Sequence, residues 1–474
     1  MNTSQRILKN FLSLTFANIF TNFLGVITVA YLARILGPGD FGKINFALAV
    51  VGYFAILSHF GLNTIGTREI ACAKEKINDY VSNILILKLC LGTIAFILLC
   101  IFVLLINKPL EMKYLIILYG FTIFTANVLL FDWVFQGIEK MEYQGIALIL
   151  QGICYLALIL LIIKSSEQLL LIPPILVFAQ MLSVIFLIAV FIKKFRIPKF
   201  GFNLTLWKIL IKNAIPVGLI GIMSIIVFNT PIVLLGFFRP QQEVGYFAAA
   251  HKIVWMLIGL STAFGAAIFP VLSYYHKTSF ESFQKLCNHA LKLMIILGIP
   301  TAVGITILAA HIINLVYGSK YTTSVIILQI LIWNVLLVYI SVTFIFILLA
   351  AGRERKVLRI SIFNAGSIVI FNLILILKFG VIGAAITSVT AGLITLILYF
   401  HETKGIVDVA IRQYTFSSMI ASFVMGLLLY YCLDYNLFVL IFTGGIVYLL
   451  CLYLFRGIEK KDIELLFGMT KIIK

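Results

Sequence analysis

The sequence predicts an all-α polytopic membrane protein, and three observations point there. Of 474 residues, 62% are hydrophobic and 11% charged, and the mean hydropathy of +1.13 lies beyond the range of soluble globular chains. Apolar runs recur from end to end, each long enough to cross the roughly 30 Å hydrocarbon layer at about 1.5 Å per residue. Finally, the basic residues crowd into alternate connections, as the positive-inside rule requires of short loops.

Hydropathy marks fourteen candidate helices. The first seven cover approximately 11–33, 42–63, 80–106, 113–137, 143–164, 169–192 and 213–238. The second seven cover approximately 244–272, 289–316, 322–350, 357–378, 380–400, 414–433 and 435–455. With the N-terminus in the cytoplasm, 26 of 36 Lys and Arg fall on the cytoplasmic side and 8 on the other, while Lys88 and Lys252 remain within spans. That bias orients the chain with both termini cytoplasmic. Arg6 and Lys9 precede a full-length span with no small-residue cleavage pattern, so no cleavable signal peptide is expected.

The same composition excludes several classes of function. A net charge of +18 would point to nucleic acid in a soluble chain, but here the charges set topology and no nucleic-acid partner is expected. The seven cysteines contain no CxxC pair and the six histidines no HExxH spacing, which leaves neither a disulfide framework nor a metal site. Outer connections no longer than about a dozen residues leave no room for an external domain.

Four regions follow: an N-lobe of six helices (1–192), a basic interfacial linker (193–212), a C-lobe of six helices (213–400), and two additional helices with a cytoplasmic tail (401–474). The linker, KKFRIPKFGFNLTLWKILIK, is broken by Pro198 and Gly201 and turns amphipathic around Trp207, the pattern of a segment lying on an anionic leaflet. The lobes look duplicated. Leu36-Gly37 followed by Asp40-Phe41-Gly42 recurs as Leu235-Gly236 followed by Glu243-Val244-Gly245, and an offset of 203 residues aligns the helix heads. Six helices per repeat give both copies one orientation, hence a pseudo-two-fold along the membrane normal and a cleft near the midplane. Pro231, Pro270 and Pro300 lie in or near spans, where each removes a backbone bond and permits a kink.

Ionisable groups at spanning depth are the candidate functional residues, because insertion scales put a mid-helix cation at about 2.5 to 3.5 kcal/mol. Lys252 stands two turns inside an otherwise lipid-compatible helix; it either snorkels to the interface or faces a watery cavity as a partner for an anion. Lys88 offers the same pair of readings near the cytoplasmic end of helix 3. Arg68 is either a topological anchor or a cavity cation. Asp132 either pairs with Lys88 or carries a coupling proton or sodium ion. Two intramembrane lysines against one aspartate favour an anionic cargo. Asn18 and Asn22, with the ring faces of Tyr246, Phe247, Trp255 and Trp333, are candidate contacts for sugar.

Four separated stretches carry a resemblance. GDFGKINFALAVVGYFAILSHFGLNTIGTREIA (39–71), PIVLLGFFRPQQEVGYFAAAHKIVWML (231–257) with AAIFPVLSYY (266–275), YGSKYTTSVIILQILIWNVLL (317–337) and KFGVIGAAITSV (378–389) resemble the O-antigen and polysaccharide repeat-unit flippases. These belong to the multidrug/oligosaccharidyl-lipid/polysaccharide exporter superfamily. The resemblance implies two six-helix lobes around a cation-lined cavity plus two further helices. It also implies transport of undecaprenyl-pyrophosphate-linked oligosaccharide from the inner to the outer leaflet of a bacterial cytoplasmic membrane by alternating access. Membrane lipids, a polysaccharide polymerase and glycosyltransferases of the same pathway are the implied partners. No cofactor is implied, and coupling would come from a proton or sodium gradient or the membrane potential. The resemblance matches Thr67-Arg68-Glu69-Ile70 closely, whereas His251 stands where the family has a glutamate before the basic residue at 252. A lipid II flippase needs the same cationic cavity. A cationic-drug exporter should carry more buried acids than bases, and a membrane-embedded polymerase needs positioned carboxylates.

Overall fold

Within lipid a backbone must bond to itself, and a helix does so locally. The computed structural model describes residues 3–195, 201, 203–408, 411–455 and 457, and the ordered elements among them are helices. In order these are α1 (Thr3–His59), α2 (Leu62–Cys72), α3 (Ile77–Leu105), α4 (Leu110–Gly120), α5 (Asp132–Gly137), α6 (Met141–Ile162), α7 (Ile172–Phe195), α8 (Leu204–Phe238), α9 (Gln241–Thr278), α10 (Phe280–Tyr317), α11 (Thr323–Ala350), α12 (Glu354–Thr403), α13 (Ile411–Tyr431) and α14 (Leu437–Leu454).

Among the described residues, eleven helical stretches are long and apolar enough to span, and a shorter apolar helix lies at Thr415–Tyr431. Two of the eleven are broken by a glycine: Gly37 in α1 has φ 72° and ψ 176°, and Gly380 in α12 has φ 57° and ψ −135°. A side chain is strained in both conformations, so glycine suits them, and each helix breaks there into two arms. Counting those arms accommodates the fourteen predicted passes.

Two passes differ from the hydropathy map. Helix 2 stops at Phe60 (φ 32°) and Gly61 (φ 80°), then resumes as α2, which carries Arg68. The fourth pass is α4, a π-helical turn (Ile123–Val128) and α5. Hydropathy averages over such breaks because the residues on either side are equally apolar. Pro231, Pro270 and Pro300 lie inside α8, α9 and α10. Of the basic linker, residues 196–200 and 202 lie outside the described residues, as does 458–474 of the tail; Trp207 belongs to α8.

The chain forms two compact units, residues 1–245 and 246–474. In the first, α8 packs on α1, α2 and α3, while α6 joins α1 and α7. Tyr31 donates to the Ile163 carbonyl at 2.8 Å and Ser183 to that of Ala147 at 2.6 Å, the kind of polar contact that fastens helices where lipid removes the hydrophobic drive. Leu62, Ile84, Trp133, Phe135, Phe191 and Leu210 form its core near the α2–α5 end.

The duplicated positions meet within this unit. A Cβ on Gly42 would overlap the Gln241 carbonyl oxygen, and a Cβ on Gly245 would overlap that of Pro38. The offset of 203 residues relates Gly42 to Gly245 and also Pro38 to Gln241, so the contact is reciprocal, as a two-fold relation between repeats generates.

The second unit is built on α10 and α11, with α12 against α11 and α13–α14 against α10. Tyr448 donates to the Ile296 carbonyl at 2.6 Å and fixes α14 to α10.

Candidate functional site

In the first unit the break at Phe60–Gly61 turns α2 so that Asn63 faces α3. Lys88 has 0% exposure; its Nζ donates to Asn63 Oδ1 at 2.9 Å and lies 5.8 Å from the Trp133 ring centroid. Trp133 is locked in turn. Thr67 Oγ1 donates to its carbonyl at 3.0 Å, and Gly66 leaves room for its ring, which a Cβ there would approach to 2.5 Å. Asp132 opens α5 beside it, with Oδ1 buried and without a hydrogen-bond partner. The carboxylate acts on Lys88 electrostatically. They are not in direct ion-pair contact. His59, whose Nδ1 is also buried without a partner, lies in the same field of Lys88.

Arg68 stands apart from this cluster. Its guanidinium is exposed and bonds the Glu69 carboxylate at 2.8 Å, and Tyr80 donates to the other Glu69 oxygen at 3.5 Å. Lys88 and Arg68, each a candidate cavity cation by sequence, are therefore in different environments. With no accessible surface, Lys88 cannot meet a phosphate in this conformation, whereas Arg68 can. Sequence alone did not single out His59, Asn63 and Trp133. The signal that could have found two of them is Gly61, a helix terminator inside an apolar run.

In the second unit, Phe247, His251 and Trp255 form a ladder at i, i+4 spacing on α9. The Phe247 ring stacks on His251 with centroids 5.2 Å apart and planes at 23°, and Trp255 Nε1 donates to His251 Nε2 at 2.9 Å. Indole nitrogen can only donate, so His251 accepts at Nε2 and is neutral, with its proton on Nδ1. Lys252, half-buried, follows it about 16 Å along α9 from the helix start.

This part of α9 is held in place by α11. Ser324 donates to the Tyr246 carbonyl and Tyr339 to that of Leu257, both at 3.0 Å, and the Tyr246 ring meets Tyr321 edge-on at 6.2 Å.

The aromatic and amide candidates divide by exposure. Phe247 is fully buried against His251, so its face is taken and it is no sugar contact in this conformation. Tyr246 and Trp255 are half-buried, Trp333 is 40% exposed, and Asn18 and Asn22 are exposed on the first arm of α1. No group of three or more His, Cys, Asp or Glu that could hold a metal occurs among the described residues.

Residues 7–276 match the family described as polysaccharide biosynthesis protein. Over 337 residues the chain is 26% identical to a protein assigned as an O-antigen transporter in Escherichia coli K12, covering 70% of this chain and 80% of that one. Over 480 residues it is 23% identical to a protein of Haloferax volcanii assigned as the low-salt glycan biosynthesis flippase Agl15, covering 98% and 99%. Its fold is similar to that of the lipid II flippase MurJ in an inward closed conformation. The TM-score is 0.77 at 19% identity, covering 93% of this chain and 98% of that one.

Proposed function

Because the chain belongs to the polysaccharide biosynthesis protein family, we propose that it is a flippase for lipid-linked glycan, carrying a surface-polysaccharide repeat unit across the membrane rather than catalysing a reaction on it. The cargo is an oligosaccharide on undecaprenyl pyrophosphate, moved by alternating access from the inner to the outer leaflet of a bacterial cytoplasmic membrane, with both chain termini cytoplasmic. Arg68, exposed at the predicted cytoplasmic end, meets the pyrophosphate first. Lys252 holds it in a cationic cavity while the polyprenyl tail stays in lipid.

The observation that carries this reading is the ammonium of Lys252 on a membrane helix beside an imidazole held neutral by Trp255. A cation at this depth of a membrane helix is suited to an anionic group that comes and goes. Tyr246, Trp255 and Trp333, with Asn18 and Asn22, are the remaining candidates for sugar contact. An outside-positive potential assists, since each elementary charge crossing 100 mV is worth about 2.3 kcal/mol. Asp132 is the acid available for coupling to a proton or sodium gradient, with Lys88 as its electrostatic partner. The fold likeness to a lipid II flippase favours a second reading in which lipid II is the cargo, and the surface-glycan relatives favour the first.

Deleting the gene and identifying the lipid-linked glycan that accumulates on the cytoplasmic leaflet tests the function and names the cargo. Complementation with Lys252→Ala should leave surface glycan absent at normal membrane levels of the protein, and Lys252→Arg should largely restore it. Normal surface glycan with the alanine variant would reduce Lys252 to a snorkelling side chain.

A further inference from the structure

Lys108, in the turn between α3 and α4, is an ammonium with no carboxylate partner among the described residues. It donates to the Gly236 carbonyl oxygen at 2.7 Å and lies 5.8 and 5.6 Å from the ring centroids of Phe46 and Phe237. Glu111, which shares a pocket wall with it, is engaged elsewhere: it and Asp40 both bond Lys43, each at 2.8 Å. Burial holds the Lys108 ammonium below the ordinary lysine pKa of 10.5, as befits a cation lacking a counter-ion.

This ammonium borders a pocket of about 330 Å³ whose wall includes Lys43, Glu111, Arg239, Pro240 and Gln241. Of these cations Lys43 is offset by Asp40 and Glu111, whereas Lys108 meets a carbonyl and two rings. Helices α4 and α9 both begin at this wall, after Pro109 and Pro240, so the positive ends of two helix dipoles converge there. Gln241 Oε1 is buried without a partner, while its Nε2 donates to Gly236 O at 3.2 Å.

We propose that this pocket is a phosphate-binding site, distinct from the Lys252 region. A phosphate would supply the counter-ion Lys108 lacks and would face Arg239. Gln241 Oε1 and the Glu111 carboxylate would accept hydrogen bonds from hydroxyls on whatever the phosphate carries, so a phosphate joined to a sugar or glycerol suits the wall better than a bare carboxylate. Under the orientation assigned above, which rests on the flippase reading, this end faces outward. The phosphate then belongs either to translocated cargo or to an outer-leaflet phospholipid headgroup.

The test is calorimetric titration of the purified full-length protein with inorganic pyrophosphate, beside reconstitution in phosphatidylglycerol and phosphatidylcholine nanodiscs with lipid retention measured. Saturable pyrophosphate binding is expected, weakened about tenfold in Lys108→Gln, where the amide can still reach the Gly236 carbonyl. Lys108→Arg should retain binding, and Glu111→Gln should tighten it about threefold by removing a like charge. A Lys108-dependent preference for phosphatidylglycerol with no pyrophosphate binding would assign the phosphate to membrane lipid and keep the site. Equal behaviour of wild type and Lys108→Gln in both arms overturns the proposal. Binding is read on purified protein and flipping by glycan accumulation in cells, so either reading can fail alone.

Discussion

Replacing Asp132 by Asn leaves the Lys88 ammonium inside the first unit with Asn63 as its hydrogen-bond partner and an indole ring beside it. Because Lys88 is fully buried, water cannot take over the role of the lost carboxylate. The two charges act beyond direct ion-pair contact. For unit charges about 5 to 7 Å apart at an effective dielectric near 20, Coulomb's law gives about 2.4 to 3.3 kcal/mol, near the low end of the roughly 3 to 5 kcal/mol found when one member of a buried pair is removed. We therefore expect Asp132→Asn to destabilise the protein by about 3 kcal/mol. The double variant Lys88→Met/Asp132→Asn removes both charges and should return to within about 1 kcal/mol of wild type. Reversible denaturation in detergent micelles, monitored for all four members of the cycle, measures the coupling. Additive losses in the double variant would refute the reasoning, because they would mean the two side chains stabilise the fold independently. Vesicle flipping by Asp132→Asn at the full wild-type rate, with and without an ion gradient, would separately remove Asp132 from coupling.

Other substitutions test the backbone and the second unit. Gly42→Ala and Gly245→Ala should each cost about 1 to 3 kcal/mol in the same denaturation assay, because the added methyl overlaps a carbonyl oxygen across the crossing. Gly25→Ala, which meets nothing within 4 Å, should be close to neutral. Gly37→Ala should lose about 1 to 3 kcal/mol through backbone strain at its positive φ. Trp255→Phe removes the donor to His251 and should cost about 1 kcal/mol; imidazole nitrogen NMR on the wild type should show the proton on Nδ1, and a dominant Nε2–H form would contradict the ladder on α9.

Much of this protein is written locally. Membrane residence, the approximate number of passes and their order follow from run length and charge position, since each span must satisfy its own backbone in lipid and each loop its own topology. The repeat is also legible: Asp40-Phe41-Gly42 and Glu243-Val244-Gly245, aligned at an offset of 203, anticipate the reciprocal meeting of Gly42 and Gly245. Depth along a helix is legible as well, and it marks Lys88, Asp132 and Lys252.

Tertiary structure alone decided which way those side chains face. A spacing along the chain does not say whether a lysine turns toward a chamber, toward lipid or into the core. In helices that are apolar all round, no polar stripe marks the side that faces away from the neighbours. Lys88 went into the core because the break at Phe60–Gly61 brings Asn63 across to meet it, and Arg68, five residues further on, went to the surface with Glu69. Likewise, the residue before Lys252 reads as a missing acid in the sequence, and only the contact with Trp255 shows it to be a neutral imidazole. The sequence sets where each charge lies along its helix, and the rotation of that helix against its neighbours sets what the charge can touch.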